Sequence, residues 1–228
     1  MVDAIVTPTA IKAVYDLLEK LVTGRSKQRK TLFKEVIDPL FGQLLAVHDD
    51  YHQMFLNSSR AIPYRVGTGW HVPGKTPFIG SNSDAEVQER IVQVKRDFKE
   101  FRQVREAIRD KVRYDAADFL KAVKGKEEQR FLFSVVQYFL EDNRSQDHDS
   151  FIDQQIDSVL AKSGTTALDT PSSRIDLEIS HEHDAEKLEE VFADARRDLN
   201  ERFAYSCRRF NGVRIAIHGL TNQSTRTA

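Results

Sequence analysis

Apolar residues recur at steps of three and four through one stretch, at Phe33, Val36, Ile37, Leu40, Phe41, Leu44, Leu45, Val47, Tyr51, Met54 and Phe55. That spacing stacks them along one side of a 3.6-residue period and predicts an amphipathic helix. The stripe is wide enough to meet neighbours on two flanks, so this helix is expected to organise the chain. It is expected to start near Ser26 and to run to about Asn57. Pro39 lacks an amide donor and Gly42 follows it, so a kink or a break into two helices is expected near Asp38-Pro39.

The same period predicts helices on both sides. Thr7-Pro8 reads as a helix start and Gly24 as its stop, with Ile11, Val14, Tyr15, Leu18, Leu21 and Val22 forming one face. Ser83-Asp84-Ala85-Glu86 has the spacing of a capping box. Behind it Val87, Ile91, Val94, Phe98, Phe101, Ile108 and Val112 form a coiled-coil-like seam, with Arg105 in the one interrupted position. Phe119, Leu120 and Val123 continue the pattern to Gly125. The spacing leaves open whether residues 84–124 are one helix or two; unbroken, they span roughly 60 Å. Residues 127–142 are apolar on most sides and predict a buried helix, with a strand as the rival reading.

A further helix is expected at about 150–162, carrying Phe151, Ile152, Ile156, Val159 and Leu160. The last runs from about Glu182 to Phe210, with Leu188, Val191, Phe192, Ala195, Leu199, Phe203 and Phe210 inward and Asn211-Gly212 as its stop signal. Ile175, Leu177 and Ile179 alternate, as do Val213, Ile215 and Ile217. A minor two-strand element near the C-terminus is therefore the alternative to helix ends at 174–180 and 213–218.

Residues 57–82 break the pattern. Four of the ten glycines, three of the six prolines and the single Trp70 fall there. Ile62, Tyr64, Val66, Val72, Phe78 and Ile79 are too apolar for a free linker, so a large ordered loop pinned to the bundle is expected, with room for a short hairpin. The fold class that emerges is mostly α, an antiparallel bundle of about six helices in one domain over residues 1–220. The tail 221–228 is expected to be disordered.

Composition narrows the function. Thirty-four basic residues against 35 acidic ones give a net charge of −1, which provides no global field for nucleic acid, and no nucleic-acid partner is expected. One cysteine, Cys207, cannot form an internal disulfide and fits a reducing compartment. The opening residues lack the character of a signal peptide, and no apolar run approaches ~20 residues. A cytoplasmic protein is expected.

Several motifs invite chemistry. Gly69-Trp70-His71-Val72-Pro73-Gly74-Lys75-Thr76 matches G-x-x-x-x-G-K-[ST] letter for letter. A phosphate cradle also needs a strand before it and a helix opening at the lysine. SSRAIPYR before it and Pro77 with Gly80 behind it fit an ordered loop instead. His48 and His52 lie one helical turn apart with Asp49 beside them, which is the spacing of metal ligands. Asp147-His148-Asp149 sits in a polar turn. Glu178 and His181 have the Glu-x-x-His spacing of di-metal bundles, but no second copy accompanies them. Cys207 reads as a core position rather than a nucleophile.

The expected function is a non-catalytic helical interaction module that needs no cofactor. It would self-associate or dock a protein partner through a helix face or through a binding loop at Trp70, His71 and Lys75. One alternative is a metal-dependent hydrolase holding a divalent metal with His48, Asp49 and His52. Another is an effector that lies on a membrane surface, with residues 8–23 as its amphipathic helix and Arg25, Lys27, Arg29, Lys30 and Lys34 as a basic cluster.

Overall fold

A computed structural model describes residues 8–23, 28–74, 84–140, 149–161 and 174–219. The elements in order are α1 (Pro8–Thr23), α2 (Arg29–Leu32), a π turn (Phe33–Ile37), α3 (Asp38–Ala61), β1 (Tyr64–Val66), β2 (Gly69–His71), α4 (Asp84–Lys121), α5 (Lys126–Leu140), α6 (Asp149–Ala161), α7 (Arg174–His181) and α8 (Ala185–His218). The class is mostly α. Thr7, Gly24, Ser83, Asp147, His148 and the 221–228 tail lie outside the described residues, as do the caps and the disorder expected there.

Three expectations at element ends are corrected. The helix through Pro39 does not break. The Asp38 amide instead reaches the Phe33 carbonyl, five residues back, and the resulting π turn sits directly upstream of the residue that has no amide to give. The C-terminal two-strand element is absent, since Ile175, Leu177 and Ile179 belong to α7 and Val213, Ile215 and Ile217 to α8. Short alternation is weak evidence beside a long neighbouring helix that offers a packing face. Asn211-Gly212 likewise does not stop α8; Gly219, in the left-handed region at φ +62°, does. At the other end Asp184 caps the first turn, accepting from the amides of Glu186 and Lys187.

Residues 84–121 form one helix of 38 residues. Its seam does not wait for a partner. Val87, Ile91, Val94, Phe98, Ile108 and Val112 are buried inside this chain, because α1, α3, α5 and α6 all pack along α4. The apolar side of α1 is spent in the same way: Ile11, Val14, Leu18 and Leu21 are buried against α3 and α4, so that face is not open to a membrane. No helix among the described residues is long and apolar enough to cross one.

The core closes as a ring of contacts, α1 to α3, α3 to α8, α8 to α5, α5 to α4 and α4 back to α1. Helix α5 supplies its most apolar part, with six consecutive buried residues from Phe131 to Val136. Ser134 lies among them and is satisfied by donating to the Phe131 carbonyl at 2.7 Å. Phe55 of α3, Phe98 of α4 and Phe192 of α8 meet in an aromatic cluster, with centroids 4.8 to 6.2 Å apart.

The first turn of α5 is fixed by charge. The Glu128 carboxylate is buried and takes both Nε and Nη2 of Arg29 from α2, the latter at 2.8 Å. That bond holds the Arg29 guanidinium above its ordinary value. Gly125 lies so close that a Cβ there would overlap this carboxylate. One position away from Gln129, Arg130 joins Glu127 at 2.8 Å, Asp149 at 3.0 Å and Asp153 at 2.9 Å. Arg209 of α8 reaches the same Asp149 at 2.7 Å, so α5, α6 and α8 share one network.

Two pH limbs follow. The hydrogen bond from Arg130 holds the Asp153 carboxyl below its ordinary value. A depressed carboxylate stabilises the fold above the unfolded value near about 4 and loses that contribution as pH falls through the folded value. Arg130→Leu is expected to flatten this acid limb in urea titrations and to cost about 1–3 kcal/mol at neutral pH, since Glu127 and Asp153 lose their nearest cation while Asp149 keeps Arg209. Tyr15 behaves oppositely. Burial, then a 3.0 Å hydrogen bond to Asp115 on α4, pushes its phenol up to about 12. The folded state therefore keeps its proton longer, and the stability present below about pH 10 is lost as pH rises toward about 12. Tyr15→Phe is expected to remove that alkaline slope.

Candidate functional site

His48 and His52 sit on one side of α3, as their spacing predicts, but α8 has claimed both. The His48 ring is buried and lies flat on Phe203, with centroids 3.9 Å apart and planes within 6°. Its Nδ1 is 3.4 Å from the Tyr138 hydroxyl of α5. His52 faces the α8 surface, where its Nδ1 meets Oδ1 of Asn200 at 3.2 Å; since that oxygen only accepts, the imidazole donates. The two rings are 6.2 Å apart, and Asp49 is exposed. Among the described residues no three of His, Cys, Asp and Glu gather closely enough to hold a metal ion.

His48 instead ends a ladder of flat rings. Phe33 stacks on Phe210, Phe210 on Phe41, Phe41 on Phe203 and Phe203 on His48, alternately from the π turn or α3 and from α8. Spacing alone reads a histidine pair as ligands; here it reads more completely as two positions that face a neighbouring helix. Cys207 is only half-buried, and burial raises its thiol above the ordinary value, which opposes a nucleophilic role.

The loop after α3 holds the second group of candidates. Ile62, Pro63 and Val72 are buried and anchor both ends of a hairpin. Its register pairs Tyr64 with His71, Arg65 with Trp70 and Val66 with Gly69. Gly67 opens the two-residue turn at φ +61°, the conformation that tight hairpins require. Because side chains alternate along a strand, Tyr64, Val66 and His71 share one face and Arg65 and Trp70 the other.

On the second face the Arg65 guanidinium lies over the Trp70 ring at 4.6 Å, and Trp70 packs half-buried against the core. Arg65 also comes within 3.8 Å of Glu186 at the start of α8. On the first face Tyr64 packs on His71 with centroids 4.8 Å apart, yet Tyr64 remains 49% and Val66 40% exposed. The Gly69–Thr76 motif therefore begins inside a strand. Lys75 and Thr76 lie outside the described residues. Of the predicted binding loop, Trp70 faces inward and His71 outward beside Tyr64. Tyr64 and Val66 complete that outward face, and their spacing of two within a short strand was the available signal that they share it.

No protein-family model, no curated protein sequence and no solved structure matches this chain.

The two histidines are expected to separate in stability measurements. His48→Ala removes a buried ring between Phe203 and Tyr138 and should cost about 2–4 kcal/mol, whereas His52→Ala, at a half-exposed site, should cost under about 1 kcal/mol. Equal costs in urea denaturation would contradict the assignment of His48 to the core.

Proposed function

We propose that this chain is a non-catalytic interaction module, working in the cytoplasm, that docks a protein partner through the β1–β2 hairpin. The observation that carries the reading is the exposure of Tyr64 and Val66 side by side on a hairpin whose base is buried. An exposed tyrosine beside a β-branched residue, held on a rigid platform, loses little conformational freedom on binding and contributes large contact area. Ile62, Pro63 and Val72 supply that platform, and the Arg65–Trp70 stack stiffens it from behind. Tyr64 and Val66 lie on the face opposite the Arg65–Trp70 pair that meets the core, so occupying them leaves the ring of helix contacts in place. A short two-stranded ribbon further offers strand edges to an extended peptide.

The test is a Tyr64→Ser, Val66→Ser double variant. It is expected to keep the helical circular dichroism and melting temperature of the parent, because both residues are already exposed. With a photo-crosslinking residue introduced at Thr68 in the turn, the parent should form discrete protein adducts in cell extract and the double variant should lose them. Identical adducts from both proteins would sink the proposal.

A further inference from the structure

The outward side of α8 carries a shallow, open trough of about 410 Å³, lined by Ala193, Arg196, Arg197, Asn200, Glu201 and Ala204. These positions advance by three, one, three, one and three, a single stripe along the helix. Leu188, Phe192, Ala195 and Leu199 are buried on the other side. Alanines at the two ends of the trough let another backbone approach closely, while the walls between them are polar and charged. Asn200 marks the flank nearest α3, through His52. Arg197 and Glu201 form the opposite flank, and the same flank continues to Glu190 and Arg208 by helical period.

That outer flank is complementary to itself. Take a second α8 laid antiparallel, with the two-fold axis at the level of Leu199. Such an axis keeps each flank on its own side and reverses the order of residues along it. Arg197 then faces Glu201 of the second copy, Glu190 faces Arg208 of the second copy, and Ala193 comes opposite Ala204. Two pairs of opposite charge are thereby each made twice, while Asp194, held by Arg197 of its own helix, comes opposite the uncharged Ala204. A parallel pair about a two-fold along the helices would instead turn this flank toward the partner's opposite flank, where Arg197 meets Arg196 and Asn200 rather than a carboxylate. The Arg197 guanidinium is already steadied by Asp194 at 2.9 Å, which uses only part of its five-donor fork.

We propose that this face of α8 is a self-docking surface, on which a second copy of the chain packs its own α8 antiparallel about Leu199. From Glu190 to Arg208 the face is about 27 Å long. One helix pair of that length covers less than the roughly 800 Å² per partner of a standard stable interface. The dimer is therefore weak, concentration-dependent and sensitive to salt. The proposal rests on the reading of the chain as an interaction module only in giving it one partner, and the hairpin lies outside the interface.

Sedimentation velocity over a concentration series up to the millimolar range tests it. The parent mass should rise from 26.2 kDa toward twice that value, and high salt should suppress the rise. Arg197→Glu and Glu201→Arg should each weaken dimerisation about tenfold, because two-fold symmetry counts every clash twice. The combined R197E/E201R variant should return to within about twofold of the parent, since opposite charges face each other again. Glu190→Arg with Arg208→Glu offers the same cycle at the second pair, and circular dichroism confirms that each variant is folded. A constant monomer mass, single reversals without effect, or no recovery in the combined variant would each overturn the proposal. The Tyr64→Ser, Val66→Ser protein should dimerise like the parent, so failure of the hairpin reading and failure of this one remain separable.

Discussion

Flat rings stacked between α3 and α8 are the constraint on which the rest of this structure depends. The rings of Phe33, Phe210, Phe41, Phe203 and His48 come alternately from two chain segments far apart in sequence. Residue numbers rise along one helix as they fall along the other, so the stack fixes the pair as antiparallel and fixes its register. Stacked aromatic pairs contribute about 0.5–1.5 kcal/mol beyond their buried area, and a register error would forfeit several at once. Helix α5 then closes the edge of the ladder, with Phe131 against Phe41 and Phe210 and with Tyr138 against His48 and Phe203.

A ladder built this way takes up side chains that spacing alone would give to chemistry. It absorbs the histidine that looked most like a ligand and leaves its neighbour on α3 bonded to an α8 carboxamide. The buried charges lie at the start of α5, where they hold helices together: Glu128 is matched by Arg29, and the Arg130 network ties α6 and α8 to α5. Leaving either arginine out would strand a buried or half-buried carboxylate, which costs more than the pair itself contributes. What faces outward is of another kind, an aromatic hairpin and a long charged helix face.

Much of the helical architecture was legible because burial follows the 3.6-residue period closely. The seam on α4, the inward face of α8 and the apolar block of α5 were all visible as spacing. Leu45 shows the limit, since it belongs to the α3 stripe by period yet is 42% exposed. Partners across space were not legible. Nothing in the order of residues says that Phe203 lies under His48, or that Asn200 waits for His52. Local signals also misled where a neighbour overrode them. Pro39 announced a kink or a break, and the π turn spared the helix the break; Asn211-Gly212 announced a stop that α8 ran through; and the alternation at Ile175–Ile179, open to strand or helix end, was a helix packed on α8. The hairpin was readable from its glycines and flanking apolar residues, while the exposure of Tyr64 and Val66 was not.

The π turn at Phe33–Ile37 has one more consequence. Such a turn holds one residue more than an α-helical turn would, and so shifts the phase of everything before it by about 100° relative to everything after it. With that shift Arg29 faces Glu128 while Phe33 and Phe41, eight positions apart, both lie against Phe210. Shortening the segment by a single residue would leave a smooth, more regular helix and swing its leading end away from α5. The chain is thus intolerant of a length change here for a reason unrelated to loop geometry: an irregular winding, not a straight rod, lets one helix satisfy a salt bridge and an aromatic ladder on two different bearings.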